Sequence, residues 1–240
     1  MYDLTNFTPS DMTRCGSELR KLGAGASSME ETAQRIVRAL FGQLAAPDGS
    51  KACALVRLFV TLPYGDLDHD LRSFVQGITG SEPQSAAMKC LTLLGTAGEV
   101  GTWNSRHTSV GHKALPLVSV ESVARSPMIA QLVRQLGVGL DTLLAPAPGL
   151  VMDAEQHTFN VFHVLEAKGC PYSPAQEEFV VPHGINSVLG FGGLLPPGEL
   201  FATILFSKSQ ISREVAELFK TLALNVKVAL LPFVGVRVFT

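Results

Sequence analysis

The hydrophobic pattern of the chain begins with two segments of helical periodicity. Residues 11–22 form a short amphipathic segment, and a second helix is predicted to start at Ser28. In Ser28-Met-Glu-Glu31, the Ser28 hydroxyl and the Glu31 carboxylate are expected to form a capping box, in which each satisfies a free backbone amide of the other. Apolar residues then recur at helical spacing, which predicts one buried face: Ala33, Ile36, Val37, Leu40, Phe41 and Leu44.

Short apolar runs in the rest of the chain predict β-strands, because they are rich in β-branched and aromatic residues. The segment 195–199, which contains two prolines and a glycine, predicts a hairpin between the last two strands. Helical spacing returns in three places: residues 67–77, residues 120–136, and a final helix from Ser212 to Pro232. The predicted strands are residues 52–62, 89–95, 158–167, 188–194 and 199–207.

This order of elements predicts an α+β fold, in which helices at both ends of the chain flank an antiparallel sheet. We expect one domain over residues 1–240. Its parts are the N-terminal helices (11–50), the sheet with a long inserted loop and helix region (52–207), and the C-terminal helix (211–232). The proline-rich segment 145–149 is interpreted as a loop within this domain.

Composition narrows the classes of function. The chain has 240 residues, 19 basic and 21 acidic, and a formal net charge of −2, which argues against a nucleic-acid partner or a polybasic membrane surface. The richest apolar stretch, 226–236, is interrupted by Lys227, Pro232 and Gly235 and is shorter than a membrane span. The N-terminus lacks the pattern of a signal peptide. We therefore expect a cytoplasmic protein with no membrane partner.

The sequence contains no strong catalytic or nucleotide-binding motif. Gly95, Gly98 and Gly101 follow a predicted strand, but their spacing fits neither of the common phosphate-binding patterns, so a mobile loop is expected there. No GxSxG motif is present. His107 and His112 are five residues apart, which is not the spacing of a helical metal pair. The sequence therefore predicts a protein that is not an enzyme.

Cys170 offers a different chemistry. The four cysteines have no CxxC spacing, but Cys170 precedes Pro171 in a predicted loop. Because proline holds the preceding residue extended, such a cysteine can present its thiolate to a haem iron. His112, His163 or His183 could then supply the opposite ligand. Haem is accordingly a candidate cofactor, with Cys170 and His163 as the first candidate ligands.

The whole pattern resembles the GAF family of sensor domains. Residues 52–59, and more specifically the segments 160–172, 179–185, 187–195 and 211–224, are similar to the N-terminal sensor modules of bacterial multi-domain histidine kinases and diguanylate cyclases. The resemblance covers residues 11–233. It implies a small-molecule ligand or cofactor held between the sheet and the loops that cross it. The candidate pocket residues are Trp103, His107, His112, Phe162, His163, Tyr172 and His183.

The same resemblance implies partners. The apolar stripe of the C-terminal helix is close to a heptad, so this helix is expected either to pack on its own sheet or to form a homodimer. A histidine kinase or diguanylate cyclase output domain, in cis or in trans, would receive the signal. Two alternatives remain: a ligand-free dimerisation and interaction module, and an enzyme that uses the loops bearing histidine and cysteine. Trp103 either fills the core or stacks on a ligand.

Overall fold

The structure is a computed structural model that describes residues 1–124, 126–137, 139–144, 160–173, 175–196 and 198–240. Within these ranges the helices are α1 (Pro9–Lys21), α2 (Met29–Gln43), α3 (His69–Thr79), α4 (Val120–Ala124), α5 (Pro127–Gln135), α6 (Leu140–Leu144) and α7 (Arg213–Leu230). The strands are β1 (Tyr2–Asp3), β2 (Leu44–Ala45), β3 (Cys53–Pro63), β4 (Lys89–Gly98), β5 (Ala114–Pro116), β6 (Asn160–Val164), β7 (Ser187–Leu195) and β8 (Glu199–Ser207).

Six of these strands form one sheet in the order β5-β4-β3-β8-β7-β6, and every neighbouring pair is antiparallel. The two central strands, β3 and β8, come from distant parts of the chain, so the sheet closes only when the N-terminal and C-terminal halves meet. Strands β1 and β2 form a separate parallel pair. The predicted α+β fold with an antiparallel sheet between helices is confirmed.

The first core lies on one face of the sheet and is covered by α1, α2, α3 and α7. Side chains alternate between the two faces of a strand, so Val56, Leu58 and Val60 of β3 enter this core. Its largest fully buried side chains include Phe191, Phe201 and Phe219. Phe219 contacts Phe7 and Phe191, with ring centroids 5.1 and 5.4 Å apart, and joins α7 to the N-terminal segment and the sheet.

The second core lies on the opposite face. Leu55 and Phe59 of β3 and Phe206 of β8 point into it. Three short helices (α4, α5 and α6) and a turn of π-helix, Gln176–Val180, cover it, together with the segments 99–113 and 165–173. Two cores on one sheet therefore differ in their cover: long helices on one face, short helices and loops on the other.

The apolar stripe of α7 packs into the first core. Ser212 caps the helix by accepting a hydrogen bond from the Val215 amide at 3.2 Å, and Phe219, Leu222 and Val226 are fully buried. The stripe that favoured dimerisation thus packs within the chain. Leu224, Val228 and Leu231 are 48%, 38% and 38% exposed and follow one another at helical spacing on the outer surface. The homodimer stays a prediction.

Several predicted boundaries are corrected by local chemistry. The expected helix 120–136 is two helices, because Pro127 cannot continue α4 and instead begins α5. Strand β4 extends to Gly98, so Gly95 and Gly98 lie in the sheet and not in a loop. Glu31 accepts hydrogen bonds from the amide and hydroxyl of Ser27, both at 2.7 Å, and not from Ser28 as expected. The segment 145–149 lies outside the described residues.

Within the part of the chain that the structure describes, no helix combines the length and the hydropathy that crossing a membrane requires.

Candidate functional site

Arg57 is the one charged residue in the mostly apolar strand β3. Its neighbours in the alternating pattern, Leu55 and Phe59, enter the second core, so Arg57 points into this core as well. It lies opposite Thr96 of β4 and Ile204 of β8, near the middle of the sheet. The fold therefore carries a guanidinium group into a core that is largely aliphatic and aromatic.

The contacts of Arg57 leave part of its hydrogen-bonding capacity unused. Its Nη2 donates to the Ser109 hydroxyl at 2.8 Å. Its Nε is buried and has no hydrogen-bond partner among the described residues. Burial lowers the pKa of Arg57 to about 10, since the core disfavours the charged form. No carboxylate of the described residues forms an ion pair with it.

The loop that brings Ser109 to Arg57 is held to the rest of the molecule by a second arginine. Arg106 forms ion pairs with Glu30 at the start of α2 and with Asp68, the N-cap of α3, the second at 2.6 Å. The net effect is a raised pKa of Arg106. Burial alone would lower it, but the hydrogen bonds and negative charges of Glu30 and Asp68 have the larger combined effect. Arg106 is thus a satisfied, structural cation, and Arg57 is not.

Trp103 lies in the same loop and is fixed against the sheet. The hydroxyl of Thr96, which faces Arg57 across the strands, donates to the Trp103 carbonyl oxygen at 2.7 Å. The Thr96 backbone is in turn held by the side-chain amide of Gln34 in α2, which accepts from the Thr96 amide at 3.1 Å and donates to its carbonyl oxygen at 2.9 Å. Gly98 allows the indole to approach, because a Cβ there would lie 2.9 Å from Trp103 Cε3.

An aromatic cluster forms around Trp103. The rings of Phe179 and His183, from the π-helical turn and the residues after it, lie 5.5 and 4.6 Å from the indole, centroid to centroid, in edge-on geometry. Phe179 also meets Phe206 of β8 edge-on at 5.0 Å. The cluster therefore joins two loops that are about 80 residues apart in the chain, and both Trp103 and His183 were expected at the site.

His112 and His107 lie in the loop beside this cluster and differ in their surroundings. The ring of His112 is at the surface, yet desolvation by neighbouring atoms lowers its pKa, and the positive charge of Arg57 lowers it further. His107 is exposed, and its Nδ1 lies 3.9 Å from a carboxylate oxygen of Asp70. His112 is thus near Arg57, whereas His107 faces outward toward α3.

Two predicted pocket residues are packing residues in this structure. Phe162 of β6 is fully buried in the second core, where it lies beside Gly190 of β7. A Cβ at Gly190 would be 3.2 Å from the Phe162 Cβ. Tyr172 is partly buried against the second core. The structure gives Phe162 no free surface for a ligand.

His163 lies apart from the other candidate pocket residues, on the opposite face of the sheet. It alternates with Phe162 and Val164, which enter the second core, so its imidazole faces the side of the sheet on which α7 lies. Its Nε2 is 2.9 Å from the Ile211 carbonyl oxygen, the partner to which it donates. Burial lowers the pKa of His163, and the hydrogen bond to Ile211 opposes this effect.

Cys170 is partly buried at the edge of the second core. His163 and Cys170 therefore lie on different sides of the sheet, and this pair does not fit the axial positions of one haem iron. Among the described residues, no group of three or more histidine, cysteine, aspartate or glutamate side chains is arranged to hold a metal ion. Haem held by Cys170 with His112 or His183 as the opposite ligand stays a prediction.

Sequence reasoning missed Arg57 and Ser109. Arg57 was seen only as a member of a strand, although an arginine within eleven mostly apolar strand residues is itself a signal of a buried charge. Ser109 had no such signal, because a serine in a polar loop is ordinary. The pairing of the two depends on the loop folding over the sheet.

No protein-family model and no curated protein matches the chain in sequence. Solved structures are similar to it at low identity. The GAF domain of a phosphoenolpyruvate-protein phosphotransferase from Acinetobacter is 11% identical with a TM-score of 0.44, over 94% of this chain and 96% of that one. The GAF domain of the same enzyme from Coxiella burnetii is 14% identical with a TM-score of 0.45, over 95% of each chain. Free methionine-R-sulfoxide reductase from Neisseria meningitidis, in complex with its substrate, is 9% identical with a TM-score of 0.44, over 95% of this chain and 96% of that one.

Proposed function

We propose that this chain is a sensory domain that binds a small organic anion in its second core, with Arg57 as the anchor for a carboxylate or phosphate group. The observation that carries the proposal is the buried Nε of Arg57, which has no hydrogen-bond partner within the part of the chain that the structure describes. The proposed role is binding without turnover, in bacterial signal transduction in the cytoplasm.

The energetic argument concerns an unpaired charge. A buried charged group costs several kcal/mol of desolvation, which only a partner of opposite charge or a full set of hydrogen bonds offsets. Arg57 has one described hydrogen bond, to a neutral hydroxyl. A ligand carboxylate or phosphate would supply the missing acceptors in the geometry that a guanidinium group prefers.

The aromatic cluster gives the ligand a second point of contact. Trp103 belongs to the loop that carries Ser109, while Phe179 and His183 come from the other side of the second core. A ligand with an apolar or aromatic body would contact these rings while its anionic group contacts Arg57. Since the rings belong to two separate loops, binding would favour the arrangement in which both loops are closed over the sheet.

Further parts of the proposal concern output. A homodimer through α7 would use the exposed residues Leu224, Val228 and Leu231, because the predicted stripe is buried. A histidine kinase or diguanylate cyclase domain would respond to the change in loop arrangement that ligand binding favours. A ligand-free interaction module is the second candidate, and it is favoured if Arg57 proves indifferent to anions.

Benzoate tests the proposal, because it combines a carboxylate with an aromatic body. Trp103 is the single tryptophan, so its fluorescence reports on the site directly. We expect benzoate to change this fluorescence and to raise the melting temperature of the wild type, and neutral benzamide to do neither. Arg57→Gln is expected to weaken benzoate binding about tenfold or more, since it removes a charge-assisted hydrogen bond.

Arg213→Gln is the matched control, because Arg213 is an exposed arginine in the first turn of α7. This variant is expected to bind benzoate like the wild type. Equal binding by Arg57→Gln and the wild type, or a Trp103 signal that benzamide reproduces, would refute an anion site at Arg57.

A further inference from the structure

A cavity lies on the face of the sheet opposite Arg57, beside the first core. It has a volume of about 430 Å³ and lies beneath the C-terminal tail, residues 231–240, where β3 and β7 end and β8 begins. It is separate from Arg57, whose side chain enters the second core. Its apolar walls are Met29, Val60, Leu62, Val234, Val238 and Phe239.

The tail forms the outer wall of this cavity, and its backbone is fixed. The amides of Met29 and Glu30, at the start of α2, donate to the carbonyl oxygens of Arg237 and Val238 at 3.0 and 2.8 Å. These amides are free donors at a helix N-terminus, so the tail satisfies them. The Phe239 ring lies 5.1 Å from the Arg106 guanidinium carbon. The tail, as the outer wall of the cavity, is thus fixed to the start of α2 by backbone hydrogen bonds.

Both charged residues that line the cavity are acidic. Glu199 begins β8 and is largely buried, with 15% of its side chain exposed, and Asp66 lies at the exposed rim. One carboxylate oxygen of Glu199 lies 3.4 Å from the Lys89 ammonium nitrogen. The other, Oε2, is buried and has no hydrogen-bond partner in the described ranges of the chain. The cavity thus combines apolar walls with a carboxylate that has unused acceptor capacity.

We infer that this cavity binds a small organic cation: a primary or secondary ammonium group on a short apolar body. The ammonium group would donate to Glu199 and lie near Asp66, and the apolar body would contact the valine and leucine walls. The lining disfavours an anion, because both carboxylates would repel it. A neutral molecule would fill the space but would leave the spare oxygen of Glu199 unsatisfied.

n-Hexylammonium, 1-hexanol and hexanoate form a matched set of probes, because they share one chain and differ in charge. Calorimetric titration of the whole chain is expected to show saturable binding of n-hexylammonium, weaker binding of 1-hexanol and none of hexanoate. Glu199→Gln preserves size and removes the charge. It is expected to weaken n-hexylammonium binding about tenfold, as the loss of a charge-assisted hydrogen bond would, and to leave 1-hexanol binding unchanged.

Two further variants separate the possible outcomes. Val234→Trp fills the cavity from the tail side, where no buried ion pair is disturbed, and is expected to abolish binding of both n-hexylammonium and 1-hexanol. Arg57→Gln is expected to bind n-hexylammonium like the wild type, so that failure of the anion site and failure of this one are distinguishable. The inference is overturned if the wild type does not bind n-hexylammonium, or if Glu199→Gln or Val234→Trp binds it as tightly as the wild type.

Discussion

The two faces of the sheet differ in how they are covered and in what they bury. Helices of 13, 15, 11 and 18 residues cover the first core. Helices of 5, 9 and 5 residues cover the second, together with loops and a π-helical turn. Long helices keep their amides bonded and move as units, whereas short helices and loops have few contacts of their own. The first face is therefore suited to stability and the second to adaptation.

Two buried polar side chains, one in each core, show a similar contrast. Arg57 brings a charge into the second core, and its one partner among the described residues is neutral. In the first core, the buried Asn225 accepts from Arg20 and donates to the Thr221 carbonyl oxygen. A protein under selection for stability alone would not retain a buried cation without an acidic partner. This contrast is the reason for proposing the anion site on the second face.

The largest expected effect tests this contrast by deleting one aromatic ring from each core. Phe219→Ala removes a fully buried ring that contacts two others and is expected to lower the free energy of unfolding by about 3–5 kcal/mol. Phe179→Ala removes a partly exposed ring and is expected to cost about 1–2 kcal/mol. Urea denaturation of both variants measures the difference. Equal losses would mean that the two cores stabilise the fold equally.

A smaller effect is expected from one methyl group at the site. In Gly98→Ala the new Cβ would lie 2.9 Å from Trp103 Cε3 and 3.0 Å from the Ala54 carbonyl oxygen, so the indole must move. We expect a loss of about 1–3 kcal/mol of stability and a red shift of Trp103 fluorescence. Gly101→Ala is the control, because nothing lies within 4 Å of its new Cβ. A Gly98→Ala spectrum like that of the control would show that Trp103 does not pack on the strand.

The smallest expected effect is a dependence of stability on pH. Burial lowers the pKa of His163 below its ordinary value of about 6.5. At pH values between the lowered pKa of the folded state and the ordinary pKa of the unfolded state, the unfolded chain binds more protons than the folded chain. The free energy of unfolding therefore decreases as the pH falls through this window. His163→Asn is expected to flatten the dependence between about pH 5 and about pH 8. Urea denaturation across this range checks it, and an unchanged slope would contradict the role of His163 burial.

The sequence carried enough information for most of the fold, because periodicity is a local property. The amphipathic stripe of α2 and the Ser28 cap are present as predicted, and β8 has the predicted bounds. Pro127 was also a local signal, for a break within residues 120–136. The prediction missed this break because apolar residues recur at helical spacing on both sides of it. Such errors concern the ends of elements and leave the architecture intact.

The site was harder to predict, because its contacts are not local. Trp103 and His183 were both proposed from the sequence, but nothing in the spacing shows that their rings meet. His163 was grouped with them, although alternation along β6 sends it to the other face. Arg57 required knowledge of which face of β3 it occupies and of which groups fail to reach it. That information exists only once the sheet has formed.

Thr96 has a mechanical consequence for how the two faces communicate. Beyond the end of β5, no strand of the described residues pairs with the outer edge of β4. The Gln34 side chain instead forms hydrogen bonds with both the amide and the carbonyl group of Thr96. The hydroxyl of the same residue holds the Trp103 carbonyl oxygen on the opposite face. A displacement of Trp103 must therefore break the hydrogen bond from the Thr96 hydroxyl, or displace the Thr96 backbone, which Gln34 of α2 holds by both its amide and its carbonyl group. Thr96 therefore links α2 on one face of the sheet directly to Trp103 on the other, so that a movement on one face is transmitted to the other through a single residue.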